Sequence, residues 1–190
     1  MRFATALAVA LTATSLLAQS RTYEIRKDPK NLVEFHAEDT YDAFDGKTNN
    51  VTGTIVADAA SPAAAKVDVS IDLASLDTGI SLRNSEMRNR YLQTPRFPNA
   101  TFKSVSVAGP ASITANQPAD LKITGDFTLH GVTKRVILPV RVVLLPDNRI
   151  HITSQFNVHM PDHDIHVPKN ILVTVDDMIP VRMDIWAVAK

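Results

Sequence analysis

The densest group of chemically capable side chains is His159-Met160-Pro161-Asp162-His163-Asp164-Ile165-His166, three histidines and two aspartates within eight residues. Imidazole and carboxylate suit zinc, copper or nickel, and a loop can gather three such groups around one ion. The spacing matches no rigid template such as His-Glu-x-x-His on one helix face, and Pro161 makes the segment an irregular turn. A solvated polar loop is the plainer reading. The alternative is a metal-binding module using His159, His163 and His166.

Other chemistries have less to work with. The chain has no cysteine, and no serine stands in a Gly-x-Ser-x-Gly setting, so an activated nucleophile is missing. Its six glycines do not cluster into a phosphate-cradling loop. Lys+Arg and Asp+Glu both number 20 and are interspersed, which leaves no basic segment to neutralise a nucleic-acid backbone. The sequence therefore points away from an enzyme, a nucleic-acid binder and a cofactor protein.

The elements that would position any site begin after residue 20. Residues 1–20, MRFATALAVALTATSLLAQS, carry one charge at Arg2, an uncharged apolar stretch from Phe3 to Leu17, and small residues near Ala18-Gln19-Ser20. That stretch is short for a bilayer span and has the order of an export signal, so a periplasmic or secreted product is expected, with the folded domain over 21–190. No second stretch approaches spanning length, so that product is expected to be soluble. Without cysteine it has no disulfide framework and must hold by its core alone.

From residue 22 onward apolar and polar residues alternate at period two, the mark of strands with one buried face. Lys66-Val67-Asp68-Val69-Ser70-Ile71-Asp72-Leu73 is the clearest case. Further strands are expected at Thr22–Arg26, Asn31–His36, Asn50–Ala57, Thr101–Val107, Leu121–His130, Arg135–Leu145, Arg149–His159 and Ile171–Ala189, the last broken near Met178–Pro180. Gly53, Gly125 and Gly131 lie where bends or bulges would help a sheet curve. Ser81–Leu92 departs from the pattern: Leu82, Met87 and Tyr91 suggest a short helix docked across one end, stopped by Pro95. Tight turns are expected at Gly109-Pro110, Asn116-Gln117-Pro118, Pro146-Asp147-Asn148 and Pro161-Asp162. About eight strands with short turns and one helix read as a closed antiparallel barrel, with a two-sheet sandwich as the rival.

Several segments resemble the YceI-like family. The most specific is Gly125-Asp126-Phe127-Thr128-Leu129-His130-Gly131-Val132-Thr133-Lys134, followed by Leu138-Pro139-Val140. Ser75-Leu76-Asp77-Thr78-Gly79, the arginine-led Arg83–Leu92, Arg96-Phe97-Pro98 through Ser104, and the tail Val181–Ala189 are similar too. The chain departs from the family in having Arg83-Asn84-Ser85-Glu86 where Arg-Asp-x-His is common, and Pro29-Lys30-Asn31 in place of a histidine-serine segment. The resemblance implies a lipocalin-like barrel holding a polyisoprenoid or similar lipid in an apolar interior. It is compatible with transient membrane contact and with pairing into a homodimer.

On that reading the lipid-binding wall is Val67, Val69, Ile71, Phe102, Leu121, Ile123, Phe127, Leu129, Val136, Leu138, Val140, Phe156, Val158, Met183 and Ile185, with Leu73 and Ile152 also facing inward. The competing reading is a filled barrel, in which these side chains pack against each other and the protein serves as an interaction module. His130 and Arg83 are expected to tie the turn and the helix in place, although each is also a candidate head-group contact.

Overall fold

In a computed structural model of the chain, residues 20–38, 42–166 and 175–190 are described. The expected signal segment at 1–20 therefore lies almost wholly outside the described residues. In chain order the strands are β1 (Arg21–Ile25), β2 (Leu32–Glu38), β3 (Ala43–Thr48), β4 (Val51–Ala57), β5 (Lys66–Asp72), β6 (Asn99–Ala108), β7 (Pro118–Leu129), β8 (Val132–Leu144), β9 (Arg149–His159) and β10 (Met178–Ala189). Period two is clearest in β7, where Ala119, Leu121, Ile123, Phe127 and Leu129 are buried between more exposed neighbours. Pleating sends successive side chains to opposite faces, so one face becomes the barrel interior.

The strands form one antiparallel sheet in the order β1-β4-β5-β6-β7-β8-β9-β10-β2-β3. It closes on itself because β1 returns to β10, Tyr23 opposite Ala189 and Glu24 opposite Val188. Eight strands thus make a closed barrel, and β2 and β3 form an outer pair. Closure removes the sandwich alternative.

Both β1 and β2 run along the same edge of β10, β2 beside Val181–Asp184 and β1 beside its last residues. Between them the chain leaves the edge, and Asn31 fills the interval. Its side-chain amide donates to the Arg26 carbonyl (2.8 Å) and its oxygen accepts from the Trp186 N–H (2.9 Å). Asn31 is 2% exposed. A side-chain amide thereby takes the place of a missing strand rung, satisfying backbone groups that burial would otherwise leave unpaired. On the other side of the hairpin, Lys47 and Asp77 exchange two backbone bonds of 2.9 Å each, so β2 and β3 raise the barrel wall at one end.

That end is crossed by a helix, α1 (Ser81–Glu86), which widens into a π-turn over Met87–Tyr91. Here the expectation needs correction. Met87 is buried, but Leu82 is 74% exposed. Steps of four residues return to the same helix face, so Arg83, Met87 and Tyr91 share the inner side, and Leu82 falls off it.

Other differences are local. β3 was not expected, because Ala-Phe-Asp-Gly-Lys-Thr holds only two apolar residues and is recruited by its hairpin with β2. The break expected near Met178–Pro180 falls just before Met178, where residues 176–177 lie outside any strand; Pro180 itself is accommodated as the third residue of β10, opposite Asn157 of β9. The part of the expected last strand at 171–174 lies outside the described residues. A register shift falls between Ser104 and Ser106 of β6, directly opposite Gly125 and Thr124 of β7, as expected of a bulge at Gly125. Gly125 also gives room to the Phe102 ring. His130 and Gly131 form the β7–β8 turn, with φ of 51° and 78°, the mirror-image turn geometry that matches the twist of the two strands it joins.

Candidate ligand cavity

Packing inside the barrel is incomplete. Two chambers remain, one of about 140 Å³ and one of about 230 Å³. The first lies among β1 and β4–β10 and includes Tyr23, Ile25, Ile55, Leu121, Ile150 and Ile185 in its wall. The second lies under α1, walled by Phe35, Phe44, Leu73, Met87, Tyr91, Leu129, Val158 and Ile165 among others. Ile71, Phe127 and Phe156 belong to both, and the two rings meet edge-on with centroids 6.3 Å apart. The interior is therefore waisted rather than a uniform tunnel.

Of the side chains read from the sequence as wall, Val67, Val69, Phe102, Leu121, Ile123, Leu138, Val140, Ile152, Met183 and Ile185 face the first chamber. Leu73, Leu129 and Val158 face the second. Val136 lines neither and packs against the apolar cluster that runs along both. Residues not foreseen as wall include Phe35, Phe44, Met87, Tyr91 and Tyr23. Phe35 and Tyr23 carried the period-two signal of their strands, but nothing in the linear sequence says that β2 and β3 bend over the helix end.

The chambers hold little charge. Burial pushes the Tyr23 phenol above its ordinary pKa, against a smaller opposite pull from Arg21, so it stays neutral. Ser154 in the first chamber donates to the Pro139 carbonyl at 2.7 Å and is satisfied. Asp58 is the charged residue lining the first chamber, and Arg83, Glu86 and His166 are the charged and imidazole side chains lining the second. Arg83 is committed to structure: it donates to the Thr78 hydroxyl (3.0 Å) and carbonyl (2.8 Å), and its guanidinium sits 3.9 Å over the Phe44 ring. It fastens the helix to β3 while its edge faces the chamber.

The histidine-rich segment does not converge. His159 meets Asp162 at 3.1 Å and Asp177 at 3.7 Å. The His163 ring turns inward, 3% exposed, edge-on to Phe127, and its Nδ1 donates to the Val132 carbonyl at 3.1 Å. His166 is exposed and folds back toward the Asp164 carbonyl. Among the described residues no three histidine or carboxylate groups are placed to share an ion. What His163 does instead is clasp a turn: His130 Nδ1 donates to the His163 carbonyl at 3.1 Å, and Phe97 lies edge-on to the His130 ring. Because a carbonyl only accepts, both rings carry their hydrogen on Nδ1.

Comparison with known proteins agrees with this geometry. The YceI-like domain matches residues 23–187. Protein YceI of Escherichia coli is 36% identical over 141 residues, which is 70% of this chain and 70% of that one. Among solved structures, BcnA of Burkholderia cenocepacia superposes with a TM-score of 0.72 at 21% identity, over 84% of this chain and 97% of that one. A polyisoprenoid binding domain from Saccharophagus degradans superposes with a TM-score of 0.67 at 17% identity, over 90% and 100%. Matched from its first strand to its last, the chain belongs to the YceI-like domain family.

Proposed function

We propose that this protein holds the hydrocarbon part of a polyisoprenoid or similar lipid inside its barrel and acts as a carrier or sequestering protein, not as an enzyme. The observation that carries the reading is the pair of apolar chambers, about 140 and 230 Å³, in a barrel of a size that side chains can fill. Empty apolar space of this kind stays dry and favours an apolar guest. Support for the lipid class comes from the structural neighbour described as a polyisoprenoid binding domain.

Energetics set a minimum guest. Micromolar affinity needs about 8 kcal/mol in addition to an association cost of at least about 4. At about 0.8 kcal/mol per buried methylene, roughly fifteen methylene equivalents suffice, the carbon content of about three isoprene units. No polar contact is required for such binding, which fits walls with almost no charge. The apolar N-terminal segment supports a site of action in the periplasm or outside the cell.

Native mass spectrometry of protein purified gently from its own host tests the proposal. A hydrocarbon-rich mass bound to the chain is the expected result. Bare polypeptide, or a metal that chelators remove, overturns it.

A further inference from the structure

Two large apolar side chains at the start of α1 are exposed. Ile80 is 52% exposed and Leu82 is 74% exposed, and they flank the first residue of the helix that roofs the second chamber. Ile80 occupies the N-cap position, yet its side chain makes no capping bond. Serine, threonine, asparagine or aspartate there would satisfy a free helix N–H. The helix start thus forgoes a stabilising contact and presents hydrocarbon to the surroundings instead.

The charge around this pair is one-sided. Residues 77–96 contain Arg83, Arg88, Arg90 and Arg96 against Asp77 and Glu86, in a chain whose 20 basic and 20 acidic residues balance as a whole. Arg83 is fastened to Thr78, and Arg88 donates to the Leu76 carbonyl. Arg90, with its side chain 72% exposed, and the exposed Arg96 remain at the surface. Glu86 is 3.6 Å from Arg90 and offsets part of its charge.

We propose that the Ile80–Leu82 tip of α1 is a docking surface for an anionic lipid bilayer, with Arg90 and Arg96 meeting head-group phosphates. This rests on the lipid-holding reading and deepens it. A guest leaving the second chamber would then pass under α1 into hydrocarbon rather than through water. Exposed apolar side chains beside cations are the two ingredients of reversible interfacial binding. A protein partner is less favoured, because two exposed apolar side chains are a small patch for a specific protein interface.

The test is co-sedimentation of the protein, purified from its own host, with vesicles of phosphatidylcholine alone or of an equimolar mixture with phosphatidylglycerol. Binding to the mixed vesicles, weakened by salt, is expected. The Ile80→Ser/Leu82→Ser double variant should bind at least about tenfold more weakly. Serine at the N-cap does not threaten the helix, so that loss is not one of folding. Arg90→Gln with Arg96→Gln should weaken binding roughly tenfold. Ile137→Ser, which removes an equally exposed residue (64%) elsewhere on the barrel, should change nothing. No vesicle binding by the parent protein, no effect of the double serine variant, or an equal loss in Ile137→Ser overturns the proposal. Retention of an apolar fluorescent probe, read on the same samples without vesicles, reports the lipid-holding reading separately. Loss of vesicle binding with intact probe retention in the serine variant is the expected separation.

Discussion

Ala100→Phe converts the proposed void into a measurement. Ala100 is buried on β6 opposite Ile71, and it faces the 230 Å³ chamber. An unfilled cavity costs about 24 cal/mol per Å³, so this chamber corresponds to roughly 5 kcal/mol of forgone packing. A phenyl ring that occupies about half of it should stabilise the empty protein by roughly 2–3 kcal/mol. For a domain of this length that is a rise in Tm of roughly 5–10 °C. A tightly packed interior gives the opposite sign, since overpacking costs about 1–3 kcal/mol. Thermal unfolding of delipidated protein, followed by circular dichroism, distinguishes the two. Titration with an apolar fluorescent probe should show affinity reduced about tenfold or more, because the ring takes the guest's place. A lower Tm together with undiminished probe binding would refute the reasoning, since it would place the guest elsewhere.

Asn31→Ala removes the bonds to the Arg26 carbonyl and the Trp186 N–H and leaves both buried. A loss of about 2–4 kcal/mol in denaturant unfolding is expected, and a loss well under 1 kcal/mol would show that water replaces the rung. Gly131→Ala places a methyl group 2.5 Å from the Phe97 ring at a φ of 78°. It should cost more than about 2 kcal/mol, also read in denaturant. His36 bonds to Asp45 (2.8 Å) and Glu38 (3.2 Å), and these carboxylates, Asp45 first, raise its pKa. Its contribution to stability is complete below the unfolded value of about 6.5 and fades as pH rises through the higher folded value. NMR titration should find the His36 midpoint above the usual imidazole value and moving back toward it in Asp45→Asn, and no such movement would discard the pairing.

Much of the barrel was legible because alternation is a local signal with a long-range consequence. Lys66–Leu73 and Leu121–His130 announce one buried face each, and a set of such strands with short turns has few ways to hide its edges. β3 escaped notice because its burial is conferred by β2, and nothing within Ala-Phe-Asp-Gly-Lys-Thr encodes that neighbour. The wall was partly readable for the same reason: inward faces could be listed strand by strand. The waist at Ile71, Phe127 and Phe156 could not, since it depends on which residues of β5, β7 and β9 come level across the interior. Leu82 was misassigned because the spacing of 82 to 87 resembles a helical repeat only until the angle is counted. The histidine cluster was only partly readable: a polar loop was the plainer expectation, but nothing in the sequence said that His163 would be drawn inside by its aromatic and carbonyl neighbours.

The seam of the barrel joins the first and last strands, β1 and β10. Tyr23 pairs with Ala189, and the Lys190 N–H donates to the Thr22 carbonyl at 2.8 Å. A contact that spans nearly the whole sequence is the slowest kind to make, since its loop entropy must be overcome before any partner rewards it. Sealing is therefore expected to follow the local pairings, and it cannot begin before β10 has been synthesised. Deleting Val188–Lys190 should remove the β1 contacts and only the last rung to β9, and yield a cylinder that never shuts.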